Sequence, residues 1–127
     1  MKQMLRCCTL IILLWSALPA SAAMTGQELL NRCTASEKSV DGTEKLTGEE
    51  MLDAMWCMGY MSGLLDGFSV GDYKVGDAKV MCAPEEGLTR TQALKIVNKW
   101  LREHPDALPK SGRRGALLAL ASAYPCK

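Results

Sequence analysis

The 127-residue sequence predicts an all-α protein: a small four-helix, or slightly larger, disulfide-bonded domain. Three observations predict it. Thr-x-x-Glu/Gln pairs, the signature of a capping box at a helix N-terminus, occur at Thr25/Glu28, Thr47/Glu50 and Thr89/Gln92. Apolar residues follow each of them at helical spacing. Four cysteines fall in the same part of the chain, which otherwise has few residues from which to build a core.

The N-terminus is read separately. Lys2 and Arg6 precede an apolar run from Cys7 to Ala20, and small residues follow as Ala20-Ser21-Ala22-Ala23. A basic start, a short apolar stretch and an A-x-A pattern describe a cleaved export signal. Residues 1–22 are therefore expected to be a signal peptide, with cleavage after Ala22 and Ala23 as the next candidate. An uncleaved anchor is the competing reading, but the run is shorter than the roughly 20 residues that a membrane span needs. Cys7 and Cys8 lie too early for a lipoprotein cleavage point. Residues 23–127 then form a single domain. Removing Lys2 and Arg6 leaves 13 basic against 14 acidic side chains, with no basic stripe suited to nucleic acid.

Thr25 opens a first helix in which Leu29, Leu30 and Cys33 share a face. Residues 34–48 are polar, contain Asp41-Gly42, and read as a loop. Thr47 opens a second helix with an inward stripe of Ala54, Cys57, Tyr60, Met61, Leu64, Leu65 and Phe68. Glu49, Glu50, Asp53 and Asp66 in and around this run exclude a transmembrane helix. Gly59, Gly63 and Gly67 lie beside Leu52 and Trp56 on a neighbouring face. A row of small residues lets another backbone approach, so close helix packing at Gly59 and Gly63 is expected, with Gly67 as well placed to fray the helix end. Residues 69–87 read as a long connection, tacked to the core by Val75, Val80 and Met81. The third helix starts at Thr89 and turns Ala93, Leu94, Val97, Trp100 and Leu101 inward and Lys95, Asn98, Lys99 and Arg102 toward water. Pro105 stops it. A last, largely buried helix covers 115–124, with Ser111 as an earlier start, and Pro125 closes it.

Cys33, Cys57, Cys82 and Cys126 imply two disulfides in an exported protein. Three connectivities are open. A short link makes the third and fourth helices antiparallel, which brings Cys126 near Cys82 and leaves Cys33 for Cys57. Without short ligand spacings, and with His104 the sole histidine, no metal site and no cofactor are expected. A catalytic set is not expected either. His104 has no histidine partner and stands before Pro105, where it suits the negative end of a helix. Asp66, Asp72, Asp77 and Glu85-Glu86 show no paired spacing and read as solvated charges, and the glycine row lacks a phosphate-loop context.

The stretches "GQELLNRC" (26–33), "CMGYMSGLLDG" (57–67), "CAPEEGLTRTQALKIVNKWLREHPDALP" (82–109) and "ALLALASAYPC" (116–126) occur in this order. Together they resemble the Rap/Tai family of type VI secretion immunity proteins over nearly all of 26–126. Two departures are Ala83, where the family more often has a larger apolar residue, and the basic, glycine-containing "KSGRRG" (110–115) in place of an alanine-rich helix start. The resemblance implies a non-enzymatic periplasmic protein that binds a cell-wall-degrading toxin, typically a peptidoglycan amidase, and blocks its active site. It also implies a homodimer.

Two segments are expected to meet such a toxin: 104–114, with His104, Asp106, Lys110, Arg113 and Arg114, and 69–81, with Asp72, Tyr73, Lys74 and Asp77. Tyrosine and arginine are frequent interface anchors. Competing readings are a small acid-stress chaperone of the periplasm, for which two disulfides would resist unfolding, and an envelope structural module without a paired toxin.

Overall fold

The computed structural model describes residues 23–75 and 79–126, with the backbone alone over 70–75. The expected signal peptide, Cys7, Cys8 and Asp77 lie outside the described residues. Four α-helices form: α1 (Gly26–Asp41), α2 (Gly48–Val75), α3 (Arg90–Glu103) and α4 (Gly112–Ala123), with a 3-10 turn at Pro105–Ala107. Among the described residues there is no strand, and no helix is long and apolar enough to cross a membrane.

All three capping boxes form. Thr25 Oγ1 accepts from the Glu28 N–H while Glu28 accepts from the Thr25 N–H. The same exchange occurs at Thr47/Glu50 and at Thr89/Gln92. Each satisfies N–H groups that a helix start leaves without an internal partner.

Two helices run further than the sequence reading has them. The polar stretch after Cys33 is helical to Asp41 and ends at Gly42, whose φ of 63° suits a residue without a Cβ. Its polar residues are spoken for by other helices. Buried Ser36 donates to the Ala54 carbonyl at 2.9 Å, and Lys95 pairs with Asp41 at 2.6 Å. Similarly, α2 continues through Asp72, Tyr73 and Lys74 to Val75 rather than opening into a loop at 69. No proline interrupts that stretch, and an isolated glycine costs a helix only about 1 kcal/mol.

The core is built from Leu29 and Cys33 of α1, Cys57 and Met61 of α2, Leu94, Val97 and Leu101 of α3, and Ala116, Ala119 and Leu120 of α4. Each fully buried leucine contributes roughly 2 kcal/mol. Tyr60, Leu64, Leu65, Phe68 and Trp100 pack against this cluster and stay partly exposed. Met81 is buried as expected, while Val80 is exposed. The disulfides are Cys33–Cys57, joining α1 to α2, and Cys82–Cys126, joining the approach to α3 with the exit of α4. The second is reinforced by the Cys82 N–H donating to the Tyr124 carbonyl at 2.9 Å.

Asn98, read as water-facing, is fully buried. Its amide donates to the Cys33 carbonyl and to Glu37 Oε2, both at 3.0 Å, and Glu37 also pairs with Arg102. Partial burial pushes the Glu37 carboxyl up, but hydrogen bonds from Arg102 and Asn98 outweigh it and hold the group below the usual carboxylate range. A depressed carboxyl stabilises the fold above its unfolded pKa, and that contribution is lost as pH falls through the folded value. Denaturant unfolding at pH 7 and pH 3 is expected to show Glu37→Gln losing less stability on acidification than the wild type, by about 1 kcal/mol for a partly exposed charge-assisted pair.

Candidate functional site: the cleft at the start of α4 and the open face of α2

The segment between α3 and α4 is held as a frame. Pro105 ends α3, and His104 takes φ −124°, ψ 71° as its cap. The His104 ring stacks on Trp100 with centroids 4.0 Å apart and planes at 13°. Nδ1 donates to the Trp100 carbonyl at 2.8 Å, since a carbonyl can only accept. Four residues is one helical turn, so both contacts follow from the W-x-x-x-H spacing. The chain then passes across the start of α1. Gly26 N–H donates to the Lys110 carbonyl (2.8 Å), Gln27 N–H to Leu108 (2.9 Å) and Gly112 N–H to Met24 (2.8 Å). Thr25 and Ser111 thereby form an antiparallel bridge, and the orphan donors of α1 are met by the segment's carbonyls.

This interlock rests on glycine. A Cβ on Gly112 would lie 2.7 Å from the Thr25 carbonyl oxygen, and one on Gly26 would lie 2.8 Å from that of Ala107. Gly112 and Gly115 belong to the "KSGRRG" stretch, whose glycines are therefore a packing requirement of this fold. Gly115 faces Leu101 and Trp100.

Between this frame and α4 lies a cleft of about 250 Å³, walled by Trp100, His104, Gly115 and Leu118 and rimmed by Asp106, Lys110 and Arg114. Lys110 pairs with Asp106 at 3.0 Å, and that hydrogen bond followed by the lysine charge keeps the Asp106 carboxyl below its ordinary range. Arg113 and Arg114 are exposed in the first turn of α4, which contains no acidic residue. Of the residues expected at a partner surface, the structure therefore gathers His104, Asp106, Lys110 and Arg114 at one cleft and leaves Arg113 just outside it. Asp72, Tyr73 and Lys74 belong to the backbone of the last α2 turns. The Trp100–His104 stack and the glycine notches were missed by reasoning from charge alone.

The close helix packing expected at Gly59 and Gly63 finds no partner among the described residues. A Cβ at either position, or at Gly67, would meet nothing within 4 Å among the described residues. These glycines are exposed because α2 turns its Cys57/Met61 face to the core, and no described residue covers its opposite side. Leu52 (69% exposed), Met55 (66%) and Trp56 (38%) share that uncovered side. Trp56 stacks on Tyr60 with centroids 5.3 Å apart, and the Arg32 guanidinium lies 4.8 Å from the Trp56 ring centroid. Tyr60 is partly buried against the core cluster, and its buried hydroxyl has no hydrogen-bond partner among the described residues.

None of the curated proteins and none of the solved structures matches the chain. A family model does: that of the Rap1a immunity proteins matches residues 25–126, which take in all four helices and both disulfides. The chain belongs to the family of Rap1a immunity proteins.

Proposed function

We propose that this chain is a periplasmic immunity protein that binds a type VI secretion peptidoglycan amidase and blocks its active site. The observation that carries the reading is the family match across the whole helical domain. Immunity proteins neutralise toxins by binding, and a rigid frame such as the 104–114 segment lowers the entropy cost of doing so. Two disulfides accord with an oxidising compartment, and residues 1–22 would direct the chain there. The toxin meets the 104–114 segment, with Arg113 and Arg114 as its charged anchors, while Asp72, Tyr73, Lys74 and Asp77 form a second contact. In an assay of peptidoglycan hydrolysis by a purified amidase effector, the wild type is expected to inhibit stoichiometrically. Reversing both arginines to glutamate is expected to weaken inhibition by tenfold or more. Unchanged inhibition would remove the 104–114 segment from the interface.

The uncovered side of α2 supports a homodimer. Leu52, Met55 and Trp56 are exposed beside Gly59 and Gly63, a surface on which two helices can cross closely about a two-fold axis. Gly63→Leu is expected to shift sedimentation from dimer to monomer without lowering the melting temperature measured at a concentration where both proteins are monomeric. A variant that keeps the dimer mass would place the contact elsewhere.

A further inference from the structure

The cleft at the start of α4 has features that a merely solvated loop does not need. Its volume of about 250 Å³ lies below the roughly 300–1,000 Å³ of small-molecule pockets and suits one or two side chains of a partner. Its walls are apolar on one side: the edge of the Trp100–His104 stack, and Leu118, which is 44% exposed. Gly115 lines the floor and lets α4 lie close on α3, since a Cβ there would come to 3.0 Å from Leu101 Cδ2 and 3.7 Å from the Trp100 ring.

The other side is cationic against the balance of the chain. Residues 104–114 hold Lys110, Arg113 and Arg114 against Asp106 alone, whereas the rest of 23–127 has more acidic than basic side chains. Arg114 forms no ion pair among the described residues, and Lys110 is tied to Asp106 by an exposed pair. Exposed pairs of this kind are weak, about 0–1 kcal/mol, so Lys110 can turn to an incoming anion at little cost. Arg114 also sits in the first turn of α4, where the helix dipole disfavours a cation. Local stability therefore opposes this placement, and a carboxylate brought by a partner would relieve it.

From the cleft's size, its mixed walls and its unpaired arginine we infer that it receives an acidic side chain of the toxin, an Asp or Glu flanked by an apolar residue. The carboxylate is taken by the Arg114 guanidinium and Lys110, and the apolar neighbour lies against Leu118 and the Trp100–His104 stack. Arginine's planar fork matches a carboxylate with two parallel hydrogen bonds. This rests on the immunity reading for the identity of the partner and adds the chemistry that the partner must present.

The test uses the folded, oxidised chain and two probes, acetyl-Leu-Glu-Leu-amide and acetyl-Leu-Gln-Leu-amide, titrated by two-dimensional NMR. Expected are saturable shifts of the Trp100 indole and Arg114 resonances with the glutamate probe, and at least tenfold weaker binding of the glutamine probe. Arg114→Gln is expected to weaken the glutamate probe at least tenfold, and Lys45→Gln, exposed in the connection between α1 and α2, by less than twofold; matching melting curves check that both variants fold. Equal response to the two probes, shifts confined to other residues, or the same shifts with inorganic phosphate would each overturn the proposal. The titration needs no toxin. An amidase inhibited by a chain that ignores the probes would remove the cleft's role and keep the immunity reading, whereas a probe response without inhibition of any amidase would do the reverse.

Discussion

Replacing Cys33 and Cys57 together by alanine is expected to destabilise the protein by about 5 kcal/mol, more than the loss of Cys82–Cys126, although the latter closes the longer loop. Chain entropy alone ranks them the other way: separations of 24 and 44 residues correspond to about 3.4 and about 4 kcal/mol. The difference lies in where the sulfurs sit. Cys33 and Cys57 are fully buried in the cluster with Leu29, Met61 and Leu94, whereas Cys82 and Cys126 are exposed. Removing the inner pair therefore loses packing as well as a cross-link, at roughly 1 kcal/mol for each sulfur. A small domain has only about 5–15 kcal/mol of stability in total, so the C33A/C57A protein should be largely unfolded at 37 °C. Denaturant unfolding of the two double mutants measures this. A larger loss from the outer pair would mean that loop entropy, and not core packing, dominates.

Gly112→Ala is expected to cost about 3 kcal/mol, while Gly59→Ala and Gly63→Ala each stabilise the monomer by about 0.5–1 kcal/mol. The added methyl at 112 would lie 2.7 Å from the Thr25 carbonyl oxygen and 3.1 Å from its carbon. Both are backbone atoms in the bridge to Ser111, so relief requires parting the starts of α1 and α4. Overpacking of this kind costs typically about 1–3 kcal/mol. At 59 and 63 the methyl meets none of the described residues, and alanine only removes the entropic cost of glycine in a helix. Urea unfolding at a concentration low enough to keep the chain monomeric separates the two effects. If Gly59→Ala destabilised the monomer, α2 would have to be covered from within the chain.

These two glycine groups show what a sequence can and cannot say. Spacing of four on an apolar helix marks Gly59 and Gly63 as a packing face, but spacing does not reveal whether anything stands opposite. Gly26 abuts Ala107 and Gly112 abuts Thr25, contacts between distant parts of the chain that exist only once the starts of α1 and α4 are side by side, and nothing local announces that. The capping boxes at Thr25, Thr47 and Thr89 were legible because the partners lie three residues away. The disulfide pairs were legible because a short α3–α4 link leaves few topologies. The second half of α1 was not, since Ser36, Glu37 and Asp41 find their partners at Ala54, Asn98, Arg102 and Lys95 in other helices. Asn98 misled for the same reason: an amide on the edge of an apolar stripe reads as solvated until the Cys33 carbonyl and Glu37 are placed against it. For the candidate site, charge pointed to the 104–114 segment, but the Trp100–His104 wall that turns charge into a cleft needed the fold.

The most direct test of the central claim is growth. Each secreted peptidoglycan amidase of the source cell is directed to the periplasm of a sensitive host, with and without this chain. The account predicts that one of them lyses the host alone, that the full chain rescues growth, and that a chain starting at Ala23 does not. Lysis by every such amidase despite the exported, disulfide-bonded chain would contradict it.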